Sequence, residues 1–591
     1  MSSQQLEYLR HSLAHLLAAV VLKLYPDAKL TLGPAIDNGF YYDIDFGDSV
    51  PSEKDLPKIE KEMKKILPKW KEFSHKEITQ EEAEDLYTDN QYKLELIQEV
   101  SARNALVSEG ECEFITLYTC NDFTDLCRGG HIDNLSDIDP ESFTLDRIAG
   151  AYWRGNEKNK MLTRIYGLAF STKEELEKYK TMREEARTRD HRKLGQELDL
   201  FTFSDLVGAG LPLFTPKGTL MRDLIINKIQ ELQKDFGYQR VTIPHITKKE
   251  LYETSGHWEK FGDELFKVKG QGDTEFVMKP MNCPHHTQIY ASRMRSYRDL
   301  PLRFMELGVV YRDEQAGELL GLSRVRSISQ DDGHVFCRPD QIDTEVRNIV
   351  QVIKSFYTSL GMLNDNEYWV SLSVRDNNTP EKYLGDKETW NKAESILENI
   401  AKEEKLPYKK IEGEATFYGP KLDFMFKDAL GREWQLGTAQ LDFVMPKRFE
   451  LEYTDTDGSQ KTPVMIHRAI SGSLERFMSV IIEHFAGHFP VWLSPIQVAI
   501  LPVSPEAHGT YTKTVTNALL QCGIRAEHHD SNDTLGKRIR NIKLQKVPYI
   551  IVVGDMEMKN NTITVEGRSD LKLNNITLND FVTHINNEIN A

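Results

Sequence analysis

The sequence predicts an α+β chain of several domains, and three observations carry that expectation. Residues 201 to 493 hold β-branched and aromatic runs separated by helical stretches, without regular strand–helix alternation, which implies a largely antiparallel sheet with helices against it. After "FPVWLSP" the pattern becomes "IQVAILPV" strand, 508 to 522 helix, "IRAEHH" strand, "TLGKRIRNIKLQ" helix and "VPYIIVVG" strand. That is a small βαβαβ domain over 494–591. Between the first 170 residues and position 201 lies "STKEELEKYKTMREEARTRDHRKLGQELDL", dominated by charged residues and without Gly or Pro until Gly195. It reads as a solvated connecting helix over 171–200. Residues 1–170 mix helices with short strands and form a further α+β domain.

Composition narrows the function classes. A chain of 591 residues with 40% hydrophobic and 28% charged residues can build its own cores without covalent staples. Its cysteines, Cys112, Cys120, Cys127, Cys283, Cys337 and Cys522, are scattered. That spacing fits a reducing, cytoplasmic setting rather than a disulfide scaffold. The apolar run Leu16 to Leu24 is short and carries Lys23, so neither a signal peptide nor a membrane span is expected. The net charge of −17 argues against indiscriminate coating of nucleic acid but leaves room for a local basic face.

Two short pairs in the first domain carry chemistry. "RHSLAHLL" sets His11 and His15 four residues apart, on one face of a helix. A zinc protease needs H-E-x-x-H with its glutamate as base, and here that position is Ser12. "TDLCRGGH" repeats the spacing with Cys127 and His131. Three imidazoles and a thiol in one domain suit a His/Cys metal site or an acid–base cluster around a bound ester. Spacing alone leaves both open, and packed core histidines are the plainer alternative.

The middle domain carries a resemblance. "RFMELGVVYRDE" (303–314), followed by "GLSRVRSISQDDGH", resembles motif 2 of the class II aminoacyl-tRNA synthetases. "HRAISGSLERF" (467–477) resembles motif 3, and Pro244 in "YQRVTIPHI" suits motif 1, the homodimer element. With "MKPMNCPHH", "ATFYGPKLDF", "WQLGTAQLDF" and "PVMIHRA", the chain is identified as a member of the threonyl-tRNA synthetase family, in the form that lacks the N-terminal ubiquitin-like domain. The resemblance implies a class II antiparallel catalytic core at 201–493, an editing domain at 1–170 and an anticodon-binding domain at 494–591. It also implies ATP with Mg2+, threonine and tRNA(Thr) as partners.

What the resemblance implies residue by residue follows from the reaction. A carboxylate attacks the α-phosphate of ATP, so fixed cations must surround a highly negative centre. Arg312 is expected to bridge carboxylate and α-phosphate, Arg476 to hold the γ-phosphate and adenine face, and Arg324 to give a second phosphate contact. Glu314 would accept from the adenine amino group. Ile328 stands where the family usually has an aromatic to stack on adenine, so that stacking is weakened. Cys283, His334 and His467 match the family's zinc ligands, with positions left for the threonine amino and hydroxyl groups. Asp332 would accept the hydroxyl proton and Tyr418 face the amino group, with Met281, Gln330, Lys421, Gln435 and Gln440 near by. His286 is not a ligand by position.

Selection against valine and serine poses different problems. A site that must bond a hydroxyl rejects its absence by about 10⁴ or more, whereas one methyl fewer cannot be excluded strongly. Zinc answers valine, and a second, hydrolytic site is needed for serine. His11, His15, Cys127 and His131 are expected to form it around an activated water, with Asp125 and Lys93 supporting the ester and terminal ribose. In the last domain Lys537, Arg538, Arg540, Lys543 and Lys546 make a cationic helix face, suited to RNA. Glu557 matches a base-reading carboxylate. Where the family commonly has V-R-x-R this chain has Val565-Glu566-Gly567-Arg568, so the arginine contact to an anticodon base is lost or passes to Arg568. A catalytically idle RNA-binding relative, or a synthetase for another amino acid such as proline or serine, are the competing readings. The retained motif arginines and zinc set weigh against both.

Overall fold

The structure, a computed structural model, describes residues 1–104, 115–363 and 368–590, so Cys112 lies outside the described residues. The chain forms two compact units, Met1–Glu184 and Glu185–Ala591. Among the described residues no helix is long and apolar enough to cross a membrane.

The first unit is built on its opening helix, Ser3–Leu24. Ser2 caps it reciprocally, its hydroxyl accepting from the Gln5 amide while the Gln5 side chain accepts from the Ser2 amide, which satisfies two of the donors a helix start leaves bare. Leu9, Leu13, Leu16, Leu17, Val20 and Val21 are buried. They pack on an antiparallel sheet in the order Lys29–Leu30, Gly39–Asp45, Met161–Ala169, Phe143–Tyr152, with Ala35–Ile36 paired to Gly39–Asp45. A second antiparallel sheet joins Ser74–Ile78, Ile115–Cys120 and Phe123–Leu126. Its last strand delivers the segment that carries Cys127 and His131.

The charged segment differs from the single solvated helix expected of it. It folds as two helices, Lys173–Arg189 and His191–Glu197. Asp190 breaks the first and caps the second, its carboxylate accepting from the Arg192 amide at 2.8 Å. The second is packed, with His191, Leu194 and Gly195 buried, because a Cβ at Gly195 would stand 2.2 Å from the Phe201 ring.

The second unit holds the expected antiparallel sheet. Its eight strands run in the order Gln239–Arg240, Leu302–Tyr311, Ser327–Cys337, Val464–Ser473, Glu433–Asp442, Lys421–Lys427, Tyr368–Val374 and Tyr408–Glu412. The central pairs are antiparallel and the two outermost pairs parallel. Strand alternation sends Val335, Ile466, Leu441 and Leu422 into the core with the helices Ile342–Ser359 and Leu474–His484, and their neighbours onto the opposite face. The register between Ser327–Cys337 and Val464–Ser473 breaks between Gln330 and Asp332. At this bulge the Asp331 carboxylate accepts from the Ile470 and Ser471 amides at 2.6 and 3.0 Å and pairs with buried Arg468, so the donors freed from the ladder are satisfied. Leaving either charge alone there would cost about 3–5 kcal/mol.

The C-terminal region contains the three parallel strands expected, Ala526–His528, Val498–Pro502 and Tyr549–Val553. The sheet continues through two antiparallel strands, Ile563–Glu566 and Lys572–Ile576, which the sequence reading missed. The polar run between them hides a hairpin whose outer strand buries little.

Candidate active and editing sites

One cross-sheet row organises the larger site. Lys421 lies opposite Gln440, Gln440 opposite His467, and His467 opposite His334, so side chains distant in sequence share one face. Two residues along, Asp423, Thr438, Ala469 and Asp332 make the next row on that face. Cys283, at the start of the helix Cys283–Ala291, faces the first row. The ligand-type atoms of Cys283, His334 and His467 all lie within 4.8 Å of one another, and the three residues are buried.

The donor chemistry fits a divalent cation. His334 Nε2 and His467 Nδ1 stand 3.0 Å apart, two nitrogens aimed at one place. The far nitrogen of each ring is engaged: His467 Nε2 on Asp442 at 3.0 Å, His334 Nδ1 on His286 Nδ1 at 2.7 Å. Such outer partners fix ring orientation in metal sites. Burial raises the Cys283 thiol well above its ordinary value and lowers His334 well below. The imidazole is thus ready to ligate while the thiol needs a cation to ionise. Asp442 and Asn282, which donates to Asp332 at 3.0 Å, escaped the sequence reading, as did His257, 3.9 Å from Cys283 Sγ. The Q-x-D spacing of Gln440 and Asp442 on a strand is the signal that would have found the first.

The arginines cluster beside this row. Arg312 stands 4.9 Å over the Phe261 ring with Nη2 3.2 Å from Met281 Sδ, and its Nε is buried without a hydrogen-bond partner. Burial lowers its pKa and that of Arg476. An under-satisfied cation of this kind awaits an anion. Ser473 caps the helix that carries Arg476, accepting from its amide at 3.3 Å, and the Arg476 side chain donates to the Ser323 carbonyl at 3.2 Å. Arg324 and Glu314, expected to contact different parts of one nucleotide, are paired with each other at 2.6 Å. Tyr418 is buried with its ring 5.3 Å from His467. Lys421 pairs with Asp423 at 2.6 Å, which also accepts from Gln435 at 2.7 Å, and Gln440 donates to Thr416. Ile328 and Gln330 lie half-buried on the strand Ser327–Cys337.

In the first unit the two short pairs converge. His11, His15, Cys127 and His131 place ligand-type atoms within 4.8 Å of one another. Cys127 Sγ lies 3.5 Å from His11 Nε2 and 3.3 Å from His131 Nε2. His131 is stacked on Phe73 at 4.0 Å, and its Nδ1 lies 3.1 Å from Ser12 Oγ, whose own proton goes to the Tyr8 carbonyl. A cavity of about 590 Å³ opens beside them, lined by His11, His15, Lys93, Asp125, Cys127 and Tyr42 among others. Lys93 and Asp125 form a buried pair at 2.6 Å, and Asp125 also accepts from the Tyr42 hydroxyl at 2.5 Å.

Comparison with known proteins identifies the domains that carry these residues. Residues 266–485 match the family model of the tRNA synthetase class II core domain (G, H, P, S and T), and 497–588 match an anticodon binding domain. Residues 115–166 match the threonyl and alanyl tRNA synthetase second additional domain. The threonine–tRNA ligase of Flavobacterium psychrophilum is 47% identical over 98% of this chain and 88% of its own length. That of Gloeobacter violaceus is 49% identical over 96% of this chain and 89% of its own. The chain belongs to the threonine–tRNA ligase family. A solved structure titled as the RNA binding domain of threonyl-tRNA synthetase from Cryptosporidium parvum is 35% identical, covers 68% of this chain and 98% of its own, and superposes with a TM-score of 0.63.

Within this ligase the expected anticodon contacts divide. Arg540 is exposed on the helix Leu535–Leu544. Arg538 is buried, donating to the carbonyls of Asp533, His529 and Val503. Arg568 donates to the carbonyls of Phe489 and Lys546. Both guanidinium groups thus hold loops through main-chain acceptors, a use the sequence reading did not foresee. Helical periodicity contained the warning, since Leu535, Arg538, Ile539 and Ile542 share one face. Lys537 pairs with Asp533 and Lys543 with Glu566. Glu557 accepts from the Gly554 amide and the Thr564 hydroxyl at 2.9 and 2.7 Å.

Electrostatics of the first unit's cavity lead to a test. Burial lowers His11, drives His15 well down and takes His131 to about 2, while it pushes the Cys127 thiol up to about 11. All three rings therefore take up a proton only below the ordinary histidine value of about 6.5. A base with a lowered conjugate-acid pKa is lost only as pH falls through that lowered value. Hydrolysis of seryl-tRNA should accordingly lose its rate only below the ordinary histidine value as pH falls. A rate that halves near 6.5, or one that climbs toward about 11 as a thiolate nucleophile requires, would contradict the assignment.

Proposed function

We propose that this ligase divides its chemistry as follows. At the sheet face of the second unit the threonine carboxylate attacks the α-phosphorus of ATP, forming threonyl-adenylate and releasing pyrophosphate. A hydroxyl of the terminal ribose of tRNA(Thr) then attacks the adenylate carbonyl and AMP leaves. In the cavity of the first unit, water cleaves the ester of mischarged seryl-tRNA(Thr). The observation that carries the reading is the single row Lys421, Gln440, His467, His334 with Cys283 against it.

Cys283, His334 and His467 would hold one Zn2+, which when bound supplies a Lewis-acid centre for the amino and hydroxyl groups of threonine. Asp332, held by Asn282, accepts the hydroxyl proton, and burial raises its carboxyl. Tyr418 faces the amino group, and Met281, Gln330, Lys421, Gln435 and Gln440 bound the pocket. Arg312 bridges carboxylate and α-phosphate, with its unpartnered Nε as the free donor. Arg476 holds the γ-phosphate and the adenine face. Arg324 must release Glu314 for the two to reach the phosphates and the adenine amino group, and Mg2+ accompanies the nucleotide. In the cavity, neutral His11 and His15 activate water, Cys127 and His131 complete the wall, and the Asp125–Lys93 pair supports ester and ribose. Arg540 and Glu557 remain the anticodon contacts in this reading. The working form is a homodimer through the Pro244 segment, in the cytoplasm. An idle RNA-binding relative has no use for a buried cation with a donor left open.

Two variants test the division. Cys283→Ser should lose zinc and threonine-dependent ATP–pyrophosphate exchange together, because a three-ligand site tolerates loss of its thiolate badly. Elemental analysis that finds no zinc in active wild-type protein would defeat the metal assignment. His11→Ala with Cys127→Ala should charge tRNA with threonine at nearly the wild-type rate and accumulate seryl-tRNA. If these are only packed core residues, melting temperature falls and seryl-tRNA hydrolysis is unchanged.

A further inference from the structure

His191 opens the short helix His191–Glu197 and is buried. Both nitrogens of its ring are engaged. Nε2 lies 3.0 Å from the Leu322 amide nitrogen and Nδ1 lies 2.6 Å from Glu483 Oε1. A backbone amide can only donate, so Nε2 is the acceptor and Nδ1 carries the proton for Glu483. One tautomer of the neutral ring satisfies both bonds. Glu483 also accepts the His191 backbone N–H at 3.0 Å and pairs with Arg432, which fixes the carboxylate that fixes the ring. Asp190, His191 and Glu483 bring metal-ligand atoms together, yet Leu322 already occupies the lone pair a metal would need.

Leu322 leads straight to the nucleotide arginines. Leu320 and Arg324 exchange backbone bonds of 3.2 and 3.3 Å, closing residues 320–324 into a turn. Ser323, next in line, offers its carbonyl to Arg476 Nε at 3.2 Å and its hydroxyl to Ser479 at 2.9 Å. Gly321 has φ +49°, and a Cβ there would stand 2.2 Å from His191 Nε2, so turn and ring are in contact. The turn hangs on His191 at one end and braces Arg476 at the other.

We infer that His191 is a positioning residue for adenylate formation: through the Leu322 amide it sets the turn that places Arg324 and Arg476 on the ATP phosphates. It touches no substrate. The inference rests on the ATP reading of those two arginines.

Two substitutions keep one bond each. In His191→Gln the side-chain carbonyl reaches the Nε2 position and accepts from Leu322, whereas in His191→Asn the amide donates to Glu483 and leaves Leu322 unpaired. ATP–pyrophosphate exchange on the full chain gives KM for ATP, KM for threonine and kcat, with melting temperature alongside. Losing the partner of a buried donor should raise the ATP KM of His191→Asn about five- to hundredfold. Its threonine KM should stay within about twofold, and His191→Gln within about threefold of wild type in ATP KM. Gly321→Ala pushes the turn off an intact ring and should also raise the ATP KM, which keeps the test alive if His191→Asn does not fold. An unchanged ATP KM in folded His191→Asn or in Gly321→Ala overturns the inference, as does equal damage from Asn and Gln tracking melting temperature alone. Arg476→Ala separates the two readings: if it too leaves ATP KM unchanged, the nucleotide assignment has failed, and if it alone raises it, only the role of His191 has.

Discussion

The chemistry of the second unit depends on strand register, and above all on His334 standing opposite His467. The two histidines are 133 residues apart, and no local propensity brings them together. A slip of one residue between their strands would turn one ring into the helical core and the other toward substrate. Register of this kind is held by whatever punishes slippage. On the core side that is Val335, Ile466 and Leu441, which strand alternation buries against the helices. At the bulge it is Asp331, whose carboxylate binds the amides of Ile470 and Ser471 and the guanidinium of Arg468, an arrangement that only one alignment satisfies. The same bulge turns the chain into the cap at Ser473 and so sets the direction of Arg476.

A common physical device underlies both sites. In each, burial lowers imidazoles (His334 in one, His11, His15 and His131 in the other) and raises the thiol beside them, Cys283 or Cys127. In the first unit, the neutral rings border a cavity large enough for an aminoacyl ester and are steadied by the buried Lys93–Asp125 pair. In the second, their outer nitrogens are committed to Asp442 and His286, and the inner ones converge. The sheet face thus combines a soft donor set with cationic arginines just beyond strand ends, Arg312 after Leu302–Tyr311 and Arg476 in the helix after Val464–Ser473.

Much of this was legible in the sequence, for reasons that differ by element. The domain pattern follows from period and charge, and the pairs His11–His15 and Cys127–His131 follow from one helical turn of spacing. Cys283, His334 and His467 were reachable only through resemblance, since register across a sheet is not written in any short stretch. Asp442 and Asn282 were missed because their roles exist only once the strands and helix are assembled. His286, set aside as no ligand, stands 2.7 Å from His334. Arg538 and Arg568 carry main-chain contacts that charge alone does not announce. Guanidinium groups satisfy loop carbonyls as readily as phosphates, and only burial separates the uses. The last two strands of the C-terminal sheet were hidden because an edge hairpin buries little and needs no apolar alternation.

The central claim is that the row of His467 and His334, with Cys283, recognises an amino acid by its β-hydroxyl. ATP–pyrophosphate exchange by the wild-type protein with threonine, serine and valine in turn tests it most directly. Threonine should drive exchange best, serine should support it measurably, and valine should fail by about four orders of magnitude. Comparable exchange with valine would mean that the pocket reads shape alone, and the account of this face would be wrong.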